Sequence, residues 1–148
     1  MNENEITYAI RGAIFDTYNA LGPGLLESVY EEAMLHFLEK RGLRVERQVP
    51  VPVFVDGRRL ATDLRIDLLV ERRVVVELKS VLEMKDVFHL QLLSYLRLAK
   101  LRRGILVNFN TSDLRSSIWT KVNGYDVPAG TPPPPKTQSF QSVGEPAP

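Results

Sequence analysis

The sequence predicts an α/β domain: a mixed sheet, in which a three-strand antiparallel meander is followed by a parallel crossover strand, with helices packed against it. Three observations predict it. Apolar residues recur at helical spacing over residues 4–20 and again over 25–41. Three strand-like runs then follow one another, divided by Asp56–Gly57 and by the polar turn Glu71–Arg72–Arg73. A helical stretch over 86–100 finally leads into the continuous apolar run Gly104–Phe109.

In the first helix, Ile6, Ala9, Ile10, Ala13, Ile14 and Thr17 fall on one face. Asn4 is read as its cap. Leu21–Gly22–Pro23–Gly24 breaks the chain into a turn. The second helix carries Leu26, Val29, Tyr30, Ala33, Met34, Phe37 and Leu38 as its apolar stripe, and Gly42 suits the left-handed position beyond its end. Tyr30 is read as packing. Glu27 and Glu31 lie one turn apart on a shared face. Glu31 is read as a solvated glutamate that the helix dipole favours.

Residues 44–55 are rich in valine but alternate poorly, and Pro50 and Pro52 argue for an edge strand or a bulge. Asp56–Gly57 is a two-residue hairpin signal. Strands are expected over 58–70 and 74–79. The helix over 86–100 carries Val87, Leu90, Leu93, Leu96 and Leu98. Gly104–Phe109 has the uninterrupted apolar character of a strand buried on both faces. A right-handed crossover would lay it parallel to 74–79. Residues 116–122 are expected to add a short last strand. The domain is placed at residues 1–127. Residues 128–148 hold seven of the ten prolines and are read as a disordered tail. Pro132–Pro135 favours polyproline II, so a tail-bound protein partner is the lesser reading.

The 148 residues suffice for one domain with its own core, and 44% hydrophobic and 25% charged residues fit a soluble globular protein. No apolar run could span a bilayer and the N-terminus lacks a signal-peptide pattern, so no membrane role and a cytoplasmic location are expected. The lack of cysteine excludes a disulfide frame, a thiolate metal site and a cysteine nucleophile. A net charge of +1 neither demands nor excludes nucleic acid.

Residues 65–80 read RIDLLVERRVVVELKS. Asp67 stands among Ile66, Leu68 and Leu69, and Glu77 and Lys79 stand among Val74, Val76 and Leu78. Strand alternation turns Glu77 and Lys79 to one face. Charges within such apolar strands are costly unless they are paired or bind a cation. Two carboxylates are hard oxygen donors suited to Mg2+ or Mn2+, which bind through one or two carboxylates plus substrate phosphate. Lys79 would orient or deprotonate a water, or neutralise transition-state charge. A structural ion pair between Glu77 and Lys79 is the alternative. There is no P-loop, G-x-S-x-G or H-E-x-x-H, and the lysine beside the acids does not favour a glycosidase.

Asp67 with Glu77-Leu78-Lys79 resembles the motif of the PD-(D/E)XK nuclease superfamily. Gly24-Leu25-Leu26-Glu27-Ser28-Val29-Tyr30 is similar to the G-x-x-E-x-x-Y signature of its GxxExxY family. Asp67–Val70, Val76–Lys79, Gln91–Leu96 and Gly104 through Asn108–Phe109 extend the likeness over residues 5–122. The resemblance implies a restriction-endonuclease-like core. It also implies Asp67 and Glu77 as direct metal ligands and Lys79 as the catalytic lysine. Glu27 would be a further acid reaching the metal through water. Gln91 and Tyr95, i and i+4 on one helix face, would meet the phosphate or Lys79. Two departures stand out: Ile66 replaces the usual proline before the aspartate, and His89 lies on a different helix face from Gln91. Neither His89 nor His36 is given a role, and Asn108 is read as bonding a loop.

The function expected first is a Mg2+- or Mn2+-dependent nuclease hydrolysing phosphodiester bonds in DNA ahead of RNA. The competing readings are a catalytically silent nucleic-acid-binding or protein-interaction module, and a homodimeric subunit that works through a partner. Arg58, Arg59, Arg65, Arg72 and Arg73, with Arg97, Lys100, Arg102 and Arg103, are candidates for a phosphate track, with solvated surface as the default for each.

Overall fold

A computed structural model describes residues 1–124. The expected tail lies outside the described residues. Helix α1 spans Glu3–Leu21 and α2 spans Glu27–Lys40. They are followed by β1 (Val45–Val51), β2 (Phe54–Val55), β3 (Arg58–Arg59), β4 (Leu64–Val70) and β5 (Val74–Lys79). Helix α3 (Asp86–Ala99), β6 (Arg103–Asn108) and β7 (Ile118–Val122) complete the described chain. The main sheet has the order β1-β4-β5-β6-β7; β5 and β6 are parallel and the other neighbours antiparallel. The predicted mixed sheet, its parallel crossover strand and the flanking helices are all present.

Two cores lie on opposite faces of this sheet. Ile6, Ile10, Ile14, Tyr30, Met34 and Leu38 of α1 and α2 pack on Leu68, Val74, Val76, Leu78, Ile105 and Val107. Leu92, Leu96 and Ala99 of α3 pack on Leu69, Val75 and Leu106. Alternation along β5 and β6 thus supplies each face, and burial on both sides explains the continuous apolar run in β6. The glycine at 104 eases the close approach of α3, since a Cβ there would lie 2.9 Å from a methyl carbon of Leu92 and force that side chain to shift.

The turns follow from local chemistry. Gly42 is left-handed beyond α2, as its sequence position predicts. Asp56 and Gly57 both have positive φ, which matches the twist of a tight hairpin. The cap of α1 is Asn2 rather than Asn4: its side chain accepts the Glu5 amide while Glu5 reaches back to the Asn2 amide. A larger correction concerns 44–55 and 58–70. Neither is one strand, because β2 and β3 leave the main sheet as a separate hairpin and β1 pairs directly with β4. The ladder runs through Pro50 to Val51, and Pro52, with the interruption at Leu60–Asp63, ends it there.

Tyr30 joins helix packing to the turn before α2. Its ring stacks on Phe109 with centroids 4.3 Å apart. Its hydroxyl donates to Gly22 O at 2.6 Å and accepts from Leu25 N at 3.1 Å. Substitution Tyr30→Phe keeps the stack but leaves a carbonyl and an amide without this partner. Urea denaturation should show a loss of about 1–3 kcal/mol, and an unchanged midpoint would refute the role of the hydroxyl.

Candidate active site

The hydrogen-bonded register of β4 and β5 runs from Val70–Val74 to Leu68–Val76 and stops there. At the next rung stand Asp67 and Glu77, and their carboxyl groups replace the ladder. The Leu78 amide donates to Asp67 Oδ2 at 2.8 Å, and the Asp67 amide donates to Glu77 Oε1 at 3.2 Å. Each strand therefore grips the other through a side chain, and the two strands fork at this point.

The two carboxyl groups also act on each other's titration. Burial pushes Asp67 above the usual carboxylate range, against the Leu78 amide that favours its charged form. Glu77 is pushed well above that range, first by burial and then by the negative charge of Asp67. Two acids at one fork resist ionising together, and a dication placed between them would relieve both costs.

Lys79 stands two residues beyond Glu77. Its Nζ lies 4.5 Å from the ring centroid of Phe88 in α3. Among the ion pairs of the described residues none includes Lys79, so a structural Glu77–Lys79 salt bridge is not formed. The ammonium nevertheless favours the charged form of Glu77, as the smallest of the influences on that group. From α3, Gln91 Nε2 donates to the Tyr95 hydroxyl at 3.1 Å. Burial raises the pKa of Tyr95, and the negative charges of Glu77 and Asp67 raise it further. Helix α3 thus turns Phe88 and Tyr95 toward the charged groups of the fork.

Glu27 approaches from α2. Its carboxylate accepts the Ser80 amide at 3.3 Å, and its charge is felt at Asp67. Ser80 Oγ donates to Leu25 O, which ties the turn before α2 to the end of β5. Asn108 is a loop-binding residue: it donates to Val81 O at 3.0 Å and accepts from Val81 N at 3.1 Å. Among the described residues no group of three or more His, Cys, Asp or Glu side chains could hold a metal ion. Asp67 and Glu77 are hard oxygen donors and few in number, the donor set of a Mg2+ or Mn2+ site completed by water and phosphate oxygens.

Sequence reasoning misplaced some charges. Glu31 is not solvated. It is buried, and it accepts from Arg47 Nε at 2.9 Å and Gln48 Nε2 at 2.8 Å. Residue 31 lies 16 and 17 positions before its partners 47 and 48, so no local pattern announced the contact. Arg72 is buried and pairs with Glu46 at 2.6 Å, which removes it from any phosphate track. Arg103 donates to Asn4 at 2.7 Å and lies 3.7 Å from Glu3. His89 packs edge-on against Trp119, with ring centroids 5.0 Å apart.

A family model described as the PD-(D/E)XK nuclease superfamily matches residues 4–121. No curated protein and no solved structure matches. No helix among the described residues is long and apolar enough to cross a membrane.

The raised acids make stability depend on pH. The ordinary values are 3.8 for Asp67 and 4.5 for Glu77. Above that range the folded metal-free chain holds protons that the unfolded chain has released. The stabilisation is therefore complete at lower pH and is lost as pH rises through the folded pKa values. The thermal midpoint of the metal-free wild type should fall more steeply with rising pH than that of Glu77→Gln. Parallel curves would show that the pair does not hold a proton.

Proposed function

The chain belongs to the PD-(D/E)XK nuclease superfamily, and on that premise we propose that it is a Mg2+- or Mn2+-dependent nuclease hydrolysing phosphodiester bonds in DNA, ahead of RNA. The observation that carries this reading is the Asp67/Glu77 pair crossed by two amide–carboxylate hydrogen bonds at the β4–β5 fork, with Lys79 on the Glu77 strand two residues further on. The Gly24–Tyr30 run favours the narrower GxxExxY grouping.

Enzymes of this superfamily are generally dependent on a divalent metal. Asp67 and Glu77, once deprotonated, would hold the ion. Glu27, occupied by the Ser80 amide, would reach it through water. The bound ion supplies Lewis-acid polarisation of a phosphoryl oxygen and a lowered pKa for bound water. Lys79 would leave the Phe88 ring to offset charge gathering on the phosphorus oxygens or, having first released its own proton to solvent, would take the proton of the attacking water. Gln91 and Tyr95 would donate hydrogen bonds to a non-bridging oxygen and hold the scissile phosphate in line.

Single-stranded, duplex and branched DNA, with an RNA of matched length, should be incubated with wild type, Glu77→Ala and Lys79→Ala in Mg2+ or Mn2+. Wild type should cleave DNA fastest. Both variants should lose on the order of 10²–10⁴-fold in rate. Equal rates in the three proteins would reject the assigned site. Salt-sensitive binding without cleavage would favour the silent binding module. Since metal ligands must be deprotonated, Mn2+ should raise the wild-type melting temperature more at about pH 8 than at about pH 5.

A further inference from the structure

The poor alternation of β1 has a structural cause. Strands β1 and β4 are in register from Val45–Val70 to Arg47–Leu68 and again from Val49–Ile66 to Val51–Leu64. The rung between these two runs, Gln48 opposite Asp67, is the one without a ladder pairing. Gln48 has φ +48, a left-handed conformation that a residue with a side chain adopts at a cost.

Both strands change face at this rung. Val45 packs with the α1/α2 core, whereas Val49 and Val51 pack with the α3 core. Likewise Leu68 and Val70 belong to the α1/α2 core, whereas Leu64 and Ile66 belong to the α3 core. Residues two or four apart on a regular strand share a face. Gln48 and Asp67 therefore sit at a double kink.

Glu31 is tied to that kink. Buried in α2, it accepts from both Arg47 and Gln48, the two residues at the break. Glu27, one turn earlier on the same helix, accepts the Ser80 amide beyond β5. Helix α2 is thus anchored on β1 by one glutamate and at the end of β5 by another. Asp67 lies on the strand between the two, and both glutamate charges act on it.

We propose that Glu31, acting through Arg47 and Gln48, is a positioning residue of the active site: it holds β1 kinked opposite Asp67, so that the Asp67 carboxylate faces Glu77 and Leu78. Gln48 keeps its strained backbone because its side chain completes the clamp. Asp67 is then free of a β1 partner and is oriented by the β5 fork alone. The inference rests on the reading of Asp67 and Glu77 as the metal-binding pair, but its first consequence is measurable without metal.

The substitution Gln48→Gly separates the two roles of the residue. Glycine adopts the left-handed conformation freely, so the melting temperature should stay level or rise. The clamp loses its bond at the kink itself and keeps only Arg47, so the Leu78 and Asp67 amides, which report the two carboxylate bonds, should exchange with solvent at least about tenfold faster. Gln48→Asn, whose side chain tolerates the backbone but is too short for Glu31, should behave the same way. Unchanged exchange at Leu78 and Asp67 in both variants would overturn the proposal. So would a lowered melting temperature with faster exchange across the whole sheet, which marks an ordinary structural residue. Calorimetry with Mn2+ then reads the consequence, an affinity about 10–100-fold below wild type. Wild type that binds no Mn2+ would remove the metal reading, while the exchange result still decides the clamp.

Discussion

Two carboxyl groups hold apart the strands that carry them. Where β4 and β5 would form their next ladder rung, Asp67 and Glu77 substitute side-chain oxygens for the backbone pairing. The exchange keeps the buried amides satisfied. It also places two acids in a setting where neither ionises readily. A metal-free fold gains little from such a pair beyond its two hydrogen bonds. The arrangement makes sense as a site kept at some expense to stability.

Around the fork, each neighbouring element performs one task. Helix α3 supplies a ring under Lys79 and the Gln91–Tyr95 couple. Helix α2 reaches both sides of the fork through Glu27 and Glu31. Asn108, at the end of β6, grips Val81 just past the end of β5. The site is thus borne by strands and helices rather than by long loops, which suits chemistry that depends on positioning.

Much of this was legible in the sequence because the signals are local. The periodicity of Ile6, Ile10 and Ile14 fixes a helix face; Asp56–Gly57 fixes a hairpin; the i and i+2 spacing of Glu77 and Lys79 fixes a shared face. The family match over residues 4–121 agrees with that reading of the fold. What was not legible depends on contacts between distant residues. Glu31 looks solvated until β1 brings Arg47 and Gln48 against it. Arg72, in a polar turn, looks exposed until Glu46 pairs with it from the neighbouring strand. The valine-rich stretch around Pro50 hid two strands in different sheets, since only the pairing partner tells them apart.

The parallel contact between β5 and β6 also bears on how the protein is made. Strand β5 acquires its first neighbour, β4, across a tight turn, but its second only after the whole of α3 has been synthesised. A nascent chain halted ahead of Gly104 would already contain Asp67, Glu77 and Lys79, yet one edge of the strand bearing two of them would be bare. Such a ribosome-bound intermediate exposes an unpaired valine-rich edge, the feature that invites aggregation. Emergence of β6 is then the event that both covers this edge and, through Asn108, seats the loop beside the acids.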